Sequence, residues 1–390
     1  AFIQPEPVIK KIEPGAALPP KLDAEIQRLQ ECDPLYELTD ADSELLWKNR
    51  EYLISRPLLL PQMLSSIDYS QPDQVNQIPN LLANWEKLNP TDALTLLDAK
   101  FADHRIREYA VSCLEQFSDS DMMLYMLQMV QALKYELYDD SALARFLIKR
   151  GLSEPKFVGH QLFWQLISEA HLSHIRQRFS SILVNFMYGI GSYRNELLTG
   201  YEFTQNLVKL NQKLCALKYN EATIQFQKEL MNFEIPKEFH LPIDPRLIVD
   251  KFIPSKCKVM NSKKKPFFLT FHNAAPFAKN ENDKNDDNDL IQMMFKVGDD
   301  LRQDQIMKVM DHLWKSQGYD YRMNCYGVLP TGFNQGFIEV VRHAKTEAAL
   351  QQEKGTFSGV FDRETFSRFL KEHNQNPIDF QKQQSSLIKA

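Results

Sequence analysis

The stretch MMFKVGDDLRQD, Met293 to Asp304, changes character halfway along. Met293, Met294 and Phe295 are bulky and apolar, as a buried strand requires. Lys296 then ends the strand, and Gly298 makes a turn. Asp299 and Asp300 favour the positive end of the helix that follows, DLRQDQIMKVMDHLW. A buried strand that ends on a lysine beside an acidic turn asks for more than packing.

Outward from this stretch, residues 249 to 341 read as strands. KKPFFLTF (264–271) is a β-rich run after a basic turn, and LIQMMFKV (290–297) is the next strand. AKNENDKNDDND (278–289) is too polar for any core and reads as a hairpin tip. YRMNCYGVLPTG (321–332) and QGFIEVVRH (335–343) complete a small sheet that carries one amphipathic helix, an α+β arrangement.

Upstream, from about Leu38 to Lys228, glycine and proline are sparse and apolar residues recur three and four apart. NPTDALTLLDAKF (89–101) has Asn89 or Thr91 to cap it and Leu94, Leu97 and Phe101 on one face. SDSDMMLYMLQMVQALKY (118–135) opens on a serine/aspartate cap, and the helix beginning DDSALARFLIKR ends on Gly151 as a C-terminal cap. Helix pairs at intervals near 35 to 40 residues give the expectation of a HEAT-like α-helical solenoid. Residues 1–35 are a proline-rich linker by composition, 36–232 the helical domain, and 233–248, which include IPKEFHLPIDPRL, a second linker.

Composition sets the outer limits. Of the 390 residues 43% are hydrophobic and 25% charged, ordinary values for a globular protein. A net charge of -5 gives no ground for a nucleic-acid partner. The cysteines, Cys32, Cys113, Cys215, Cys257 and Cys325, are odd in number and scattered, against both a disulfide framework and a zinc site. The start at Ala1 rather than Met reads as a piece of a longer chain.

A five-stranded lobe with one inserted helix and a strand-terminal lysine is how a kinase holds ATP. The lysine neutralises phosphate charge and a helix carboxylate fixes the lysine. Lys296 and Asp304, eight residues on, have the right order for those parts. Without such a setting Lys296 would be a solvated lysine and Asp304 an exposed helix carboxylate.

The residues resemble the phosphoinositide 3-kinases, the class I catalytic subunits most closely. FKVGDDLRQD (295–304), KCKVMNSKKKPFFLTF (256–271) and YGVLPTGFNQGFIEVV (326–341) are similar to that family's lysine motif, phosphate loop and hinge strands. DPLYELTDADSELLWKNR (33–50), QALKYELYDDSALARFLIKRGL (131–152) and GHQLFWQLISEAH (159–171) resemble its helical domain. The resemblance implies a HEAT-like helical solenoid followed by an α+β kinase N-lobe (249–342) and, over 343–390, the start of a C-lobe and a polar tail.

It also implies roles. Ser262 and Lys264 contact β/γ-phosphates, and Lys296 the α-phosphate. Asp304 and Tyr326 line the inner end of the pocket. Ile338 sits behind the adenine, Glu339 and Val341 offer it backbone hydrogen bonds, and Met260 and Phe268 form the roof. Phe268 stands where the family usually has tryptophan. The helix after RQD is about one turn shorter than usual. D-R-H-x-x-N and D-F-G do not occur in the 390 residues, and Asp379-Phe380 is followed by Gln381. No catalytic residue is therefore assigned in this chain, and ligands for Mg2+ are expected outside it, since transfer needs metal-holding carboxylates and a base.

The implied function is transfer of the ATP γ-phosphate to the inositol 3-hydroxyl of a membrane phosphoinositide, by a cytoplasmic protein recruited peripherally to membranes. The alternative is a non-catalytic helical scaffold with a pseudokinase lobe. Glu37 and Asp40 match positions that meet a regulatory subunit in some class I members, and a Ras-type activator would bind outside this chain. A solvated loop explains Glu37 and Asp40 equally well.

Overall fold

The computed structural model describes residues 9–11, 18–33, 35–275, 289–341, 344, 350, 365–374 and 376–389. Contacts divide the chain into two units, Ala1–Leu166 with Leu172–Tyr193, and Ile167–His171 with Arg194–Ala390.

The first unit is helical. Its longer helices are α1 (Pro20–Gln30), α2 (Asp40–Lys48), α3 (His104–Leu114), α4 (Ala142–Ser153), α5 (His160–Glu169, whose last residues belong to the second unit) and α6 (Arg176–Gly189). α1 corrects the expectation of a linker over 1–35. Pro20 stands at the first helical position, where a missing N–H costs nothing, and Ile26 and Leu29 are fully buried. α2 opens on a capping box. Asp42 donates its N–H to Thr39 Oγ1 at 3.2 Å, and Asp42 Oδ2 accepts the Thr39 N–H at 3.1 Å. The serine/aspartate cap at 118 is likewise a capping box, between Ser118 and Asp121.

Two helix readings differ. The segment 89–101 is a short helix, Pro90–Ala93, tightened into a 3-10 turn over Leu94–Leu97, and Asn89 makes no side-chain cap. Gly151 does not end α4, which runs on to Ser153. Its role is close approach: a Cβ there would lie 2.9 Å from Phe186 on α6 and 3.1 Å from Leu162 on α5.

The second unit is built on a seven-stranded sheet: β1 (Phe239–Leu241), β2 (Asp244–Phe252), β3 (Lys258–Val259), β4 (Phe267–Asn273), β5 (Leu290–Val297), β6 (Val328–Gly332) and β7 (Gln335–Glu339). The order is β1-β2-β4-β5-β7-β6, every pairing antiparallel, with β3 beside β4. Five strands were expected. The stretch 233–248 supplies β1 and the start of β2 instead of a linker, because Phe239 and Leu241 are buried in the sheet's core. Among the described residues the longer helices of this unit are α7 (Tyr193–Leu214), α8 (Tyr219–Met231), α9 (Arg302–Ser316), α10 (Thr365–His373) and α11 (Pro377–Lys389).

One apolar core joins Phe203, Leu207 and Leu214 of α7 and Phe226 of α8 to Phe267, Leu269 and Phe271 of β4, Met293 and Phe295 of β5 and Phe337 of β7. Phe226 stacks on Phe267 with ring centroids 4.2 Å apart. Each fully buried side chain of this size contributes about 1.5–3 kcal/mol. α7 and α8 thus pack on the sheet, although their apolar periodicity resembles that of the upstream helices. In the tail expected to be polar, Pro377 starts α11 and Asn376 Oδ1 accepts the Ile378 N–H at 3.0 Å. Glutamine and lysine are good helix formers, so the tail holds a helix. The acidic stretch 278–288 lies outside the described residues.

Candidate functional site

β5 is two-faced. Ile291, Met293 and Phe295 are buried, while Gln292, Met294 and Lys296 between them are half-buried. Successive strand side chains point to opposite faces, so the three bulky residues at 293–295 do not share one. Strand pairing carries the half-open face sideways. Phe268 is opposite Met294, Met294 opposite Ile338, and Ile338 opposite Val328. Cross-strand partners share a face. The expected roof residue Phe268 and back-wall residue Ile338 therefore lie in one row with Met294 between them. Lys258 Nζ sits 5.4 Å from the centre of the Phe268 ring.

Lys296 lies one pleat along the same face, opposite Gly336. A Cβ at Gly336 would fall 2.2 Å from the Leu329 carbonyl oxygen and 3.0 Å from Leu301 Cδ1, so only glycine fits there. The Lys296 side chain is 29% exposed, and its Nζ is 3.6 Å from Asp299 Oδ2. Asp304, expected to fix Lys296, is not the carboxylate found beside it. The turn carboxylate three residues on is within reach, while Asp304 lies in the first turn of α9 near Tyr326. Burial, and then the charge of Asp304, raise the Tyr326 phenol above its usual range.

The turn after β5 is held by the β6–β7 hairpin. Gly298 adopts φ +98°, and the N–H groups of Gly298 and Asp299 donate to the Asn334 carbonyl at 2.6 and 3.2 Å. Lys264 comes to the same turn. Its Nζ is 3.1 Å, and its Cδ 3.0 Å, from where a Gly298 Cβ would be. The loop that carries Lys264 is set by its backbone. Met260 donates to the Pro266 carbonyl at 2.8 Å, Ser262 to Met260 at 2.9 Å and Lys265 to Ser262 at 3.1 Å. Ser262 and Lys264 are exposed, and Met260 is half-buried. Lys265, which drew no attention as a sequence, donates its Nζ to the carbonyls of Cys215 (2.7 Å) and Leu217 just past the end of α7. The basic run thus divides its labour: Lys265 anchors the loop and Lys264 reaches the turn.

At the other end of the face, the Glu339 N–H donates to the Gly327 carbonyl at 2.8 Å, and Glu339 Oε2 accepts the Gly327 N–H at 2.7 Å. Glu339 is thereby locked beside Tyr326. Val341 closes the stretch described without a break from residue 289. The structure thus brings Phe268, Ile338 and Lys296 onto one face and Lys264 to its turn, and it places Tyr326 near Asp304. Two ammonium groups can neutralise a polyanion, and the apolar strip beside them can pack on a flat ring. Among the described residues no group of three or more His, Cys, Asp or Glu side chains is arranged to hold a metal ion. A cavity of about 410 Å³, lined by residues that include Tyr321, Arg322 and Gln381, contains none of these candidates.

The family model for the phosphoinositide 3-kinase family accessory domain (PIK domain) matches residues 16–199, and that for phosphatidylinositol 3- and 4-kinase matches residues 290–387. Phosphatidylinositol 3-kinase 1 of Dictyostelium discoideum is 36% identical over 367 residues, covering 93% of this chain and 23% of that protein. Phosphatidylinositol 3-kinase 3 of the same organism is 37% identical over 388 residues, covering 96% and 22%. Phosphatidylinositol 3-kinase 2 is 34% identical over 371 residues, covering 93% and 19%. The chain therefore spans less than a quarter of the length of these relatives. With the two domain models in chain order and the lysine-bearing strand inside the second, the chain belongs to the phosphoinositide 3-kinase family.

Proposed function

We propose that this chain is part of a class I phosphatidylinositol 3-kinase catalytic subunit, which transfers the γ-phosphate of ATP to the inositol 3-hydroxyl of a membrane phosphoinositide. The observation that carries the reading is the shared face of Phe268, Ile338 and Lys296, with Lys264 at the Gly298 turn. In this reading Lys296 binds the α-phosphate and Lys264 and Ser262 the outer phosphates. Met260 and Phe268 cover the adenine, Ile338 lies behind it, and Glu339 and Val341 face its edge. Asp304 and Tyr326 line the inner end. Mg2+ enters with ATP and is held by residues beyond those named here.

The first unit is read as HEAT-like. α4 packs against both α3 and α6, its neighbours on either side in a stack, which supports that reading. Among the described residues no helix is long and apolar enough to cross a membrane. In this reading the lipid is met by peripheral recruitment from the cytoplasm. Glu37 and Asp40 are exposed and available to a regulatory subunit; a Ras-type activator would bind elsewhere.

The test is lipid phosphorylation by a protein that joins this chain to D-R-H-x-x-N and D-F-G segments, with phosphatidylinositol vesicles and Mg-ATP. The product should carry phosphate on the 3-hydroxyl, and Lys296→Met should abolish it while shifting the melting temperature little. One exposed ion pair is worth about 0–1 kcal/mol. Product phosphorylated at the 4-hydroxyl would overturn the 3-kinase assignment. Full activity of the Lys296→Met protein would overturn the site.

A further inference from the structure

Arg302 is the first residue of α9, and none of the nucleotide roles above uses it. Its guanidinium bridges two carboxylates. Nε and Nη2 donate to the Asp300 oxygens at 2.8 and 2.6 Å, and Asp300 also accepts the Arg302 N–H at 3.1 Å. Nη1 donates to Glu169, 133 positions earlier in the chain, whose side chain is fully buried. Hydrogen bonds to Asp300, and then to Glu169, raise the Arg302 pKa beyond its usual value, and the bond to Arg302 lowers that of Asp300.

Two residues beyond Glu169, His171 lies against Phe333, with ring centroids 4.3 Å apart. His171 Nδ1 is 2.9 Å from the Ser168 carbonyl oxygen, which fixes the imidazole. Phe333 is in the β6–β7 turn, next to the Asn334 carbonyl that receives Gly298 and Asp299. The segment 167–171 therefore grips both supports of the lysine turn: the start of α9 through Arg302 and the hairpin through Phe333. Between these supports lie Asp299, paired with Lys296, and Gly298, against which Lys264 rests. Asp300 alone would organise the helix start. The bond to Glu169 adds a fixed point outside the turn, and a buried carboxylate is costly to keep unless it is paired.

We propose that Glu169 and Arg302 are positioning residues for Lys296 and Lys264: together they hold the turn from Val297 to Leu301 so that both ammonium groups face a nucleotide polyphosphate. The proposal rests on the nucleotide reading above. It acts through geometry, so it can be measured without any nucleotide.

The experiment is pulsed acetylation of the 390-residue chain with acetic anhydride, read lysine by lysine by mass spectrometry, for the unaltered chain, Glu169→Gln and Arg302→Lys. In Glu169→Gln the amide oxygen still accepts from Arg302 but without the carboxylate's charge, and Lys296 and Lys264 should acetylate about tenfold faster, roughly the free energy of that lost charge assistance. Lys315, paired with Asp311 at the far end of α9 at 2.8 Å, should keep its rate. Arg302→Lys keeps the charge but cannot bridge both carboxylates, so its effect should be intermediate. Unchanged Lys296 and Lys264 rates in Glu169→Gln would overturn the proposal, whatever the melting temperature does. So would an equal rise at Lys315, which would mark a general loosening. In the protein that joins this chain to D-R-H-x-x-N and D-F-G segments, millimolar ATP should slow acetylation of Lys296. If it does not, the nucleotide reading fails, and that outcome is separate from the effect of Glu169 on the lysines.

Discussion

Arg107→Met would remove a cation on which several segments of the first unit converge. Arg107, on α3, is 3% exposed and its partner Glu136 6%. Nε and Nη2 donate to Glu136 Oε1 at 2.9 and 2.8 Å. Nη1 donates to the carbonyls of Leu97 (3.0 Å), Asp98 (3.3 Å) and Phe101 (3.3 Å), and Nη2 to that of Ala132 (3.2 Å). One side chain thus satisfies a buried carboxylate and four carbonyls at the ends of separate turns. Methionine keeps much of the stem volume and removes every donor. Breaking a buried pair on one side costs about 3–5 kcal/mol, and the four carbonyls place this case at the upper end. At about 2–4 °C per kcal/mol for a unit of this size, the melting temperature should fall by roughly 6–20 °C. Differential scanning calorimetry of the full chain would read this. The double variant Arg107→Met/Glu136→Leu should recover at least half of the loss, because replacing both partners with apolar groups removes the stranded charge. A shift below about 2 °C for the single variant, or a double variant that melts at the sum of the two single losses, would refute the argument.

Gly336→Ala forces a Cβ to 2.2 Å from a backbone oxygen that cannot swing aside, and should cost about 1–3 kcal/mol or more by overpacking, read by thermal melting. The Thr39 hydroxyl, with further bonds from the Thr39 N–H, Tyr36 and Arg28, holds the Asp42 carboxyl at about 2, below its ordinary 3.8. Its folded pKa is depressed, so its contribution to stability is complete above about pH 4 and is lost as pH falls through about 2. The melting difference between the unaltered chain and Asp42→Asn should therefore be flat above pH 4 and shrink toward pH 2. Nucleotide binding to the 390 residues alone should be weak, since contacts to two ammonium groups supply only about 1.5–3 kcal/mol each. Calorimetry that finds sub-micromolar Mg-ATP affinity would contradict this.

Much of the second unit was legible because its signals are local. The run KKPFFLTF, the strand LIQMMFKV and the amphipathic α9 each announce themselves by period and composition. What escaped reading depends on distant partners. Three bulky residues at 293–295 looked buried together, yet the pleat sends Met294 to the half-open face. Asp304 has the spacing expected for the lysine's partner, but the bend at Gly298 brings Asp299 closer. Gly151 has the look of a helix end, and only the Phe186 ring across the gap explains it. The helices α7 and α8 have the same apolar period as those before them, and nothing in a period says that their partner is a sheet. Arg107 and Arg302 stood among ordinary surface-type residues, since a buried ion pair leaves no pattern in a sequence when its members are 29 or 133 positions apart.

The pairing of Lys296 with Gly336 bears on what kinds of change the lysine strand can absorb. Exchanging one apolar residue for another along β5 alters volume and little else. Deleting or inserting a single residue is a different event. It leaves the composition nearly intact, yet it would turn Phe295 toward the open face and Lys296 toward the core beneath α7 and α8. The tight seat of Gly336 against Leu329 blocks the compensating slide of β7, because any side chain carried into that position meets a backbone oxygen. Apart from Lys296, this strand should therefore drift among apolar residues over generations while keeping its length fixed, and length variation should collect in the connections on either side of it.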